Sequence, residues 1–360
     1  MSEVHEAVSI GSLGLRVRNA AASITVALAA TAFYSWAPYF RGYFERLYGP
    51  PEIAFTGYRF LWVAVSLYSL ALAVVFLHPR AQGVSKCLRC FQLMARWARS
   101  GLRTFEIDRA DRLALLSTLL KAYFGPMMAL TLMQYCVNAW MSGAALLGTL
   151  EPSDGPLQVF DRFGFWFLMS FILFFDVLLF TIGYLVESKR LGNEIRSVDP
   201  TYLGWAAALM CYAPFSALTY YLLDAPREEF PQFADPTVHI VMNVLVLVFL
   251  AIYTSASLAL GLKASNLTHR GVVTRGPYAF VRHPAYICKN VAWWIGSIPV
   301  IATALEESLV KALLIVGSIV GWAAIYVLRA VTEEDHLRSV DGDYDAYAAR
   351  VRYRFIPGVI

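Results

Sequence analysis

Charge is scarce in this sequence. Asp, Glu, Lys and Arg make up 16% of the 360 residues against 58% hydrophobic residues, and the mean hydropathy is +0.53. That balance excludes an ordinary water-soluble globule, about a quarter of whose residues are charged. Apolar-polar alternation over ten-residue segments is missing as well, which excludes a membrane β-barrel. The five cysteines (Cys87, Cys90, Cys136, Cys211 and Cys288) are odd in number and three lie in or beside apolar runs, so no disulfide framework is implied. A removable signal peptide is not expected, because Arg16 and Arg18 directly precede the first long apolar run and no cleavage site follows a short apolar region. No metal site is expected: Cys87-Leu-Arg-Cys90 has one zinc half-site spacing without a second pair, and His239, His269 and His336 are scattered.

Long apolar runs are what the sequence has in abundance. They lie at about 20–40, 60–78, 124–150, 163–186, 202–223, 238–262, 290–305 and 309–328. Runs near 20 residues span roughly 30 Å of hydrocarbon as helices, so the expected fold is an all-α polytopic transmembrane bundle of about eight spans with a helical tail. The seventh run is short, and either starts earlier, near Pro284, or forms half of a tight hairpin with the eighth. A division is expected at 235, with about five spans before it and a functional core from 236 to 360.

The connections carry the charge. Residues 79–112 hold eight Lys/Arg against three acids and 263–289 hold five against none, whereas 224–235 hold one against four. The positive-inside rule then places both basic connections and both termini in the cytoplasm, in a plasma or inner membrane. Retention of basic loops already explains their charge, so nucleic acid is not an expected partner. In the first basic connection Val84, Leu88, Phe91, Ala95 and Ala98 fall on one helical face and Arg89, Arg96 and Arg103 on another. The pattern fits an interfacial helix, either a plain solvated loop or a surface that gathers anionic lipid. Asp176 sits mid-span, where a lone carboxylate costs about 2.5 kcal/mol or more, so it must be paired between helices or serve a function. Gly317 and Gly321 make a small-xxx-small pair suited to close helix packing.

The densest polar information lies in two stretches, RGPYAFVRHPAY at 275–286 and RAVTEEDHL at 329–337, separated by the last two apolar runs. A helical hairpin brings them together. Pro284 suits the first turn of a helix, which leaves Arg282 and His283 at its N-terminal end, a natural anion site. Arg329 and Glu333 share a helix face with Glu334 beside it, offering a guanidinium together with acceptors for hydroxyls or an ammonium. A ligand with an anionic end, a cationic end, a diol and an aromatic ring uses all of these. S-adenosylmethionine is such a ligand.

The pattern Gly276-Pro-Tyr-x-x-Val-Arg-His-Pro-x-Tyr286, the hairpin, Arg329-x-x-x-Glu-Glu-x-x-Leu337, Tyr344-x-x-Tyr347 and a closing Tyr353-Arg-Phe-Ile-Pro357 resembles the isoprenylcysteine carboxyl methyltransferases and their phospholipid methyltransferase relatives. The resemblance covers roughly the last hundred residues. It implies an S-adenosylmethionine-dependent membrane methyltransferase whose lipophilic acceptor enters from the bilayer. Tyr278, Arg282, His283, Pro284, Tyr286, Glu333 and Glu334 would form the cofactor pocket, and Arg329 with Glu333 would act on the acceptor. Two departures stand out: Cys288 where the family usually has Gly, and a first 235 residues that carry no part of the pattern. The nearest rival is the NADPH-dependent sterol-type membrane reductases, which share Arg-His-Pro-x-Tyr but usually carry Asn where this chain has Ala285. A non-enzymatic membrane protein with a decayed site is the third expectation.

Overall fold

The computed structural model describes residues 12–101, 106–148, 155–224 and 227–359. It divides into two compact units, 1–130 and 131–360, and the boundary falls inside one long helix.

In the first unit, α1 (Leu13–Trp36) is capped by the Ser12 hydroxyl and ends before Pro38, which cannot continue the helix hydrogen bonding. After a 72° bend the chain resumes in α2 (Arg41–Glu45). The two-residue strands β1 (Leu47–Tyr48) and β2 (Phe55–Thr56) pair antiparallel and lead into α3 (Gly57–Leu77). α1 packs against α3 and against α4 (Lys86–Arg99). The face that α4 buries is Cys87, Leu88, Cys90 and Leu93, whereas Val84, Phe91, Ala95 and Ala98 are exposed, so of the expected apolar face only Leu88 turns inward. Arg89 and Arg96 are not a free basic surface, since both grip the buried Asp111 at the start of α5 (Arg109–Gly148). Arg103 lies outside the described residues.

The second unit continues from α5 through α6 (Pro156–Val159) and a π-turn into α7 (Phe165–Leu185). There follow β3 (Ser197–Val198), α8 (Tyr202–Leu209), α9 (Ser216–Leu222) and α10 (Pro236–Leu260). Asp235 caps α10 by accepting from the amides of Thr237 and Val238, with Pro236 at the first helical position. Gly261, at φ +57°, ends it in a conformation that Gly adopts without a Cβ penalty. β4 (Thr268–His269) pairs antiparallel with β3, and the hairpin α11 (Pro284–Glu307) and α12 (Leu309–Val340) is followed by α13 (Tyr344–Arg350). α10 packs on α7 and α11, and α12 on α11 and α8. Phe165, Met169, Val246, Leu247, Ala292 and Ile295 form the shared core of α7, α10 and α11.

The fold is an all-α polytopic helical bundle. Among the described residues six helices are long and apolar enough to cross a membrane, seven if the bent α1–α2 pair counts as one span. Their outer faces suit lipid: Leu309, Val310, Leu313 and Leu314 of α12 are each at least 60% exposed, an arrangement water would penalise. The expected eight spans therefore need correction. The run 202–223 folds as the two short helices α8 and α9, because Pro214 removes a backbone donor and disfavours helix at Ala213. The seventh span does begin at Pro284 and runs 24 residues.

Three interior details fix the second unit. Asp176 accepts from the Tyr253 hydroxyl at 2.7 Å and from Ser257, both on α10, so it is an interhelical tie. Arg270 is 2% exposed and donates at 2.6 Å to the carbonyls of Gly183 and Asn193, satisfying the end of α7. Gly183 also meets Ala264, whose carbonyl oxygen lies 1.9 Å from where a Cβ would stand. Of the Gly317/Gly321 pair only Gly321 packs closely, against Leu223, while Gly317 faces open space.

Candidate functional site

The segment before α11 and the tail after α12 are tied to each other by main-chain bonds. Arg282 N donates to Tyr353 O at 2.9 Å and His283 N to Arg354 O at 2.8 Å. The Tyr347 hydroxyl donates to Tyr278 O at 2.9 Å, and Tyr344, Tyr347 and Val351 pack with Val272 and Leu337. Glu334 ties this seam together. It is fully buried, and its two oxygens accept from Arg282 Nε at 2.8 Å, His283 Nε2 at 3.1 Å, Arg338 Nη2 at 3.0 Å and Arg354 at 3.1 Å. Arg282 Nη1 donates to the Val351 and Arg352 carbonyls. The anion expected at the N-terminal end of α11 is thus the protein's own carboxylate.

Beside this seam lies a cleft with about 1010 Å³ of space between protein atoms, part of it open to solvent. Along α12 its lining runs from Tyr326 to Leu337, about 16 Å at 1.5 Å per residue. Five of the residues expected from sequence to form the cofactor pocket, Tyr278, Arg282, His283, Tyr286 and Glu333, line it together with Arg329. Glu334 and Pro284 do not: the carboxylate is consumed in the seam, and Pro284 is the buried first residue of α11. Cys288 is buried outside the lining, so its side chain does not fill the space.

The aromatic wall is ordered. His283 stacks on Tyr286 with ring centres 5.3 Å apart, Tyr286 meets Tyr326 at 5.4 Å, and the Tyr286 hydroxyl donates to Glu333 Oε2 at 2.8 Å. Desolvation, reinforced by the charge of Glu333, pushes the Tyr278 hydroxyl well above the usual phenol range and keeps it protonated. Arg329 is 7% exposed, and its guanidinium lies over the rings of Tyr286 at 5.0 Å, Tyr326 at 5.4 Å and Tyr212 at 5.8 Å. Nη2 donates to Asn266 Oδ1 at 2.9 Å. Asn266 is oriented for this by its own Nδ2, which donates to the hydroxyls of Tyr184 and Tyr212. Among the described residues no carboxylate pairs with Arg329, so Glu333 is not its intrahelical partner. Lys289 reaches into the same region, over Trp293 at 5.0 Å and Tyr326 at 5.8 Å.

Sequence reasoning missed a further part of the lining. Phe180, Asp199, Tyr212, Tyr253, Asn266 and His336 line the cleft, four of them from before residue 263. Leu267 beside them holds φ +62°, a conformation a branched residue adopts only when its surroundings impose it; its carbonyl accepts from Asp199 N. The one signal in the sequence was the mid-span Asp176, which marks α7 and α10 as polar partners.

A family model described as a protein of unknown function (DUF1295) matches residues 165–351, just over half of the chain. The chain belongs to the DUF1295 family. No curated protein and no solved structure matches it. The DUF1295 match runs from the first residue of α7 to the residue after α13 and contains every residue that lines the cleft. None of the described residues forms a group of His, Cys, Asp and Glu able to hold a metal ion.

Proposed function

We propose that this DUF1295 protein is an integral membrane methyltransferase that uses S-adenosylmethionine and modifies a lipophilic acceptor, in the manner of the isoprenylcysteine carboxyl methyltransferases it resembles. The observation that carries the reading is Arg329, a buried guanidinium inside an aromatic cleft with one hydrogen-bond partner and no carboxylate. A buried cation without a counter-ion is costly, and a ligand anion supplies the missing partner. The donor set fits the cofactor: tyrosine faces suit a sulfonium, half-exposed Glu333 accepts from hydroxyls or an ammonium, and Arg329 offers a fork of donors.

The cofactor, when bound, supplies an electrophilic methyl group on sulfur. The protein's part is then positional. Arg329 holds the polar end of the acceptor in line while its stem lies along apolar helix, and the surrounding rings exclude water. A carboxylate acceptor needs no base. For an amine, phenol or thiol, Glu333 takes the proton, its Oε2 oriented by the Tyr286 hydroxyl. On the orientation that the Lys/Arg bias of the flanking connections implies, the polar stretches 275–286 and 329–337 of the cleft lie at the cytoplasmic side.

A thermal-shift comparison of detergent-purified protein tests the reading, because a ligand stabilises only the state that binds it. S-adenosylhomocysteine should raise Tm in a concentration-dependent way and NADPH should not. Stabilisation by NADPH alone would transfer the site to the reductase class, and no response to either would remove the methyltransferase reading.

A further inference from the structure

His336 lies within the 329–337 stretch at a position that the family pattern leaves unspecified, and it lines the cleft. Its side chain is 7% exposed. Nε2 lies 3.1 Å from Ser197 Oγ, and Nδ1 is buried with no hydrogen-bond partner. A buried polar atom left unpaired costs about 1–3 kcal/mol, so an orphan on a residue that lines a cleft marks a place where a ligand group belongs.

The ring is held, not merely accommodated. Ser197 lies on β3, directly opposite His269 on β4, and His269 Nε2 bonds Asp341 Oδ2 at 2.7 Å just past the end of α12. The two-stranded ribbon is therefore pinned to the same helix that carries His336, at both of its contacts. The charged and titratable groups facing the imidazole are Asp199 from the loop after β3, Glu333 one turn back on α12, and His269 from β4. With the Nε2 proton donated to Ser197 Oγ, Nδ1 keeps a lone pair and has no donor to fill it. Asp199 adds a second acceptor. Its Oδ1 takes the Thr201 amide and hydroxyl, while no hydrogen bond among the described residues uses Oδ2.

We propose that His336 is a ligand-binding residue of the cleft, its neutral Nδ1 accepting a hydrogen bond from a donor on the cofactor with Asp199 Oδ2 as the neighbouring acceptor. This rests on the methyltransferase reading. Donors of this kind lie on the α-ammonium of its amino-acid end and on the nucleoside, in the ribose hydroxyls and the adenine amine.

The test is calorimetric binding of S-adenosylhomocysteine and of 5′-methylthioadenosine, which lacks the amino-acid end, between pH 5.5 and 8.5. The proteins are wild type, His336→Gln and His336→Asn. Glutamine reproduces the Nε2 position and its Ser197 contact but leaves nothing at Nδ1, whereas asparagine places an amide at Nδ1. Wild-type affinity should fall on acidification, as Nδ1 gains a proton and can no longer accept. His336→Gln should bind at least tenfold more weakly at pH 7.5 and lose that pH dependence. Loss for S-adenosylhomocysteine alone identifies the ammonium, and loss for both ligands places the contact on the nucleoside, at its ribose or its adenine amine; either supports the proposal. If His336→Gln does not fold, His336→Asn decides, and should retain binding without the acid-side fall. Unchanged affinity and an unchanged pH profile in a folded variant overturn the role of His336 while leaving the methyltransferase reading intact. Absence of binding by wild type removes both.

Discussion

Replacing Glu334 by Gln keeps the volume and hydrogen-bonding shape of the side chain but removes its charge and turns one acceptor into a donor. The site is unforgiving. Glu334 is fully buried, and Arg282, His283, Arg338 and Arg354 all point donors at its two oxygens. In the variant an amide NH2 faces at least one guanidinium, and Arg282 and Arg354 lose their shared counter-ion while Arg338 keeps Asp335 and Asp345. Removing one partner of a buried ion pair costs about 3–5 kcal/mol. Individual hydrogen bonds to charged groups are each worth about 1.5–3 kcal/mol, but they share this carboxylate and do not add. At about 2–4 °C of Tm per kcal/mol for a unit of this size, Glu334→Gln should lower Tm by roughly 6–20 °C.

Because the same residues fasten the tail to the segment before α11, the loss should be local first. Limited proteolysis should cut the variant after Arg350, Arg352 or Arg354 under conditions that leave wild type intact. The outcome also separates two roles for this residue. A cofactor ligand would leave the stability of the free protein unchanged and abolish only the stabilisation by cofactor. A structural clasp, as the geometry has it, lowers the stability of the free protein. A Glu334→Gln protein with wild-type Tm and a protease-resistant tail would refute the clasp.

Three further outcomes follow from the geometry. Gly183→Ala should destabilise the second unit by about 3 kcal/mol or more, read by thermal melting, because the new methyl collides with the Ala264 backbone and displaces the carbonyl that Arg270 binds. Burial holds the His269 imidazole below its usual pKa of 6.5 against the opposing pull of Asp341, so the unfolded chain binds the proton first and stability falls as pH drops below about 6.5; that acid-side slope should be shallower in His269→Gln. Arg275→Cys in a protein otherwise stripped of cysteine should react with a membrane-impermeant thiol reagent only from the cytoplasmic side, and labelling from the outer face would invert the proposed orientation.

Much of the architecture was legible because the bilayer imposes a coarse rule that single residues obey: a run of about twenty apolar residues must be a helix. The boundary at Pro284 could be read for a comparable reason, since proline at a first helical turn has a local cause. The run 202–223 misled because composition does not register where Pro214 interrupts the hydrogen bonding. The face of α4 misled for a different reason. Helical periodicity identifies a stripe, but near a membrane both sides of a helix can be apolar, and only packing decided that Cys87, Leu88, Cys90 and Leu93 turn inward while Phe91 and Trp97 turn out.

The site divides along the same line. Tyr278, His283, Tyr286, Arg329 and Glu333 could be nominated from spacing because the hairpin that joins them is itself encoded by spacing. Glu334 shows the limit of that logic: two adjacent glutamates look equivalent in sequence, but successive helical residues lie about 100° apart, so one faces the cleft and the other faces the tail that wraps behind it. His336 shows the complementary limit. Its partner Ser197 lies 139 residues away and is brought there by a two-residue ladder too short to leave a periodic signal. The lining of this cleft therefore has two sources, the stretches 275–286 and 329–337 and single residues of α7, α10 and the segments around β3 and β4. Asn266, from outside those stretches, accepts from Arg329 and so fixes the direction in which the guanidinium presents its charge; on the proposed reading, Asp199 and His336 would select the hydrogen-bond donors of the ligand.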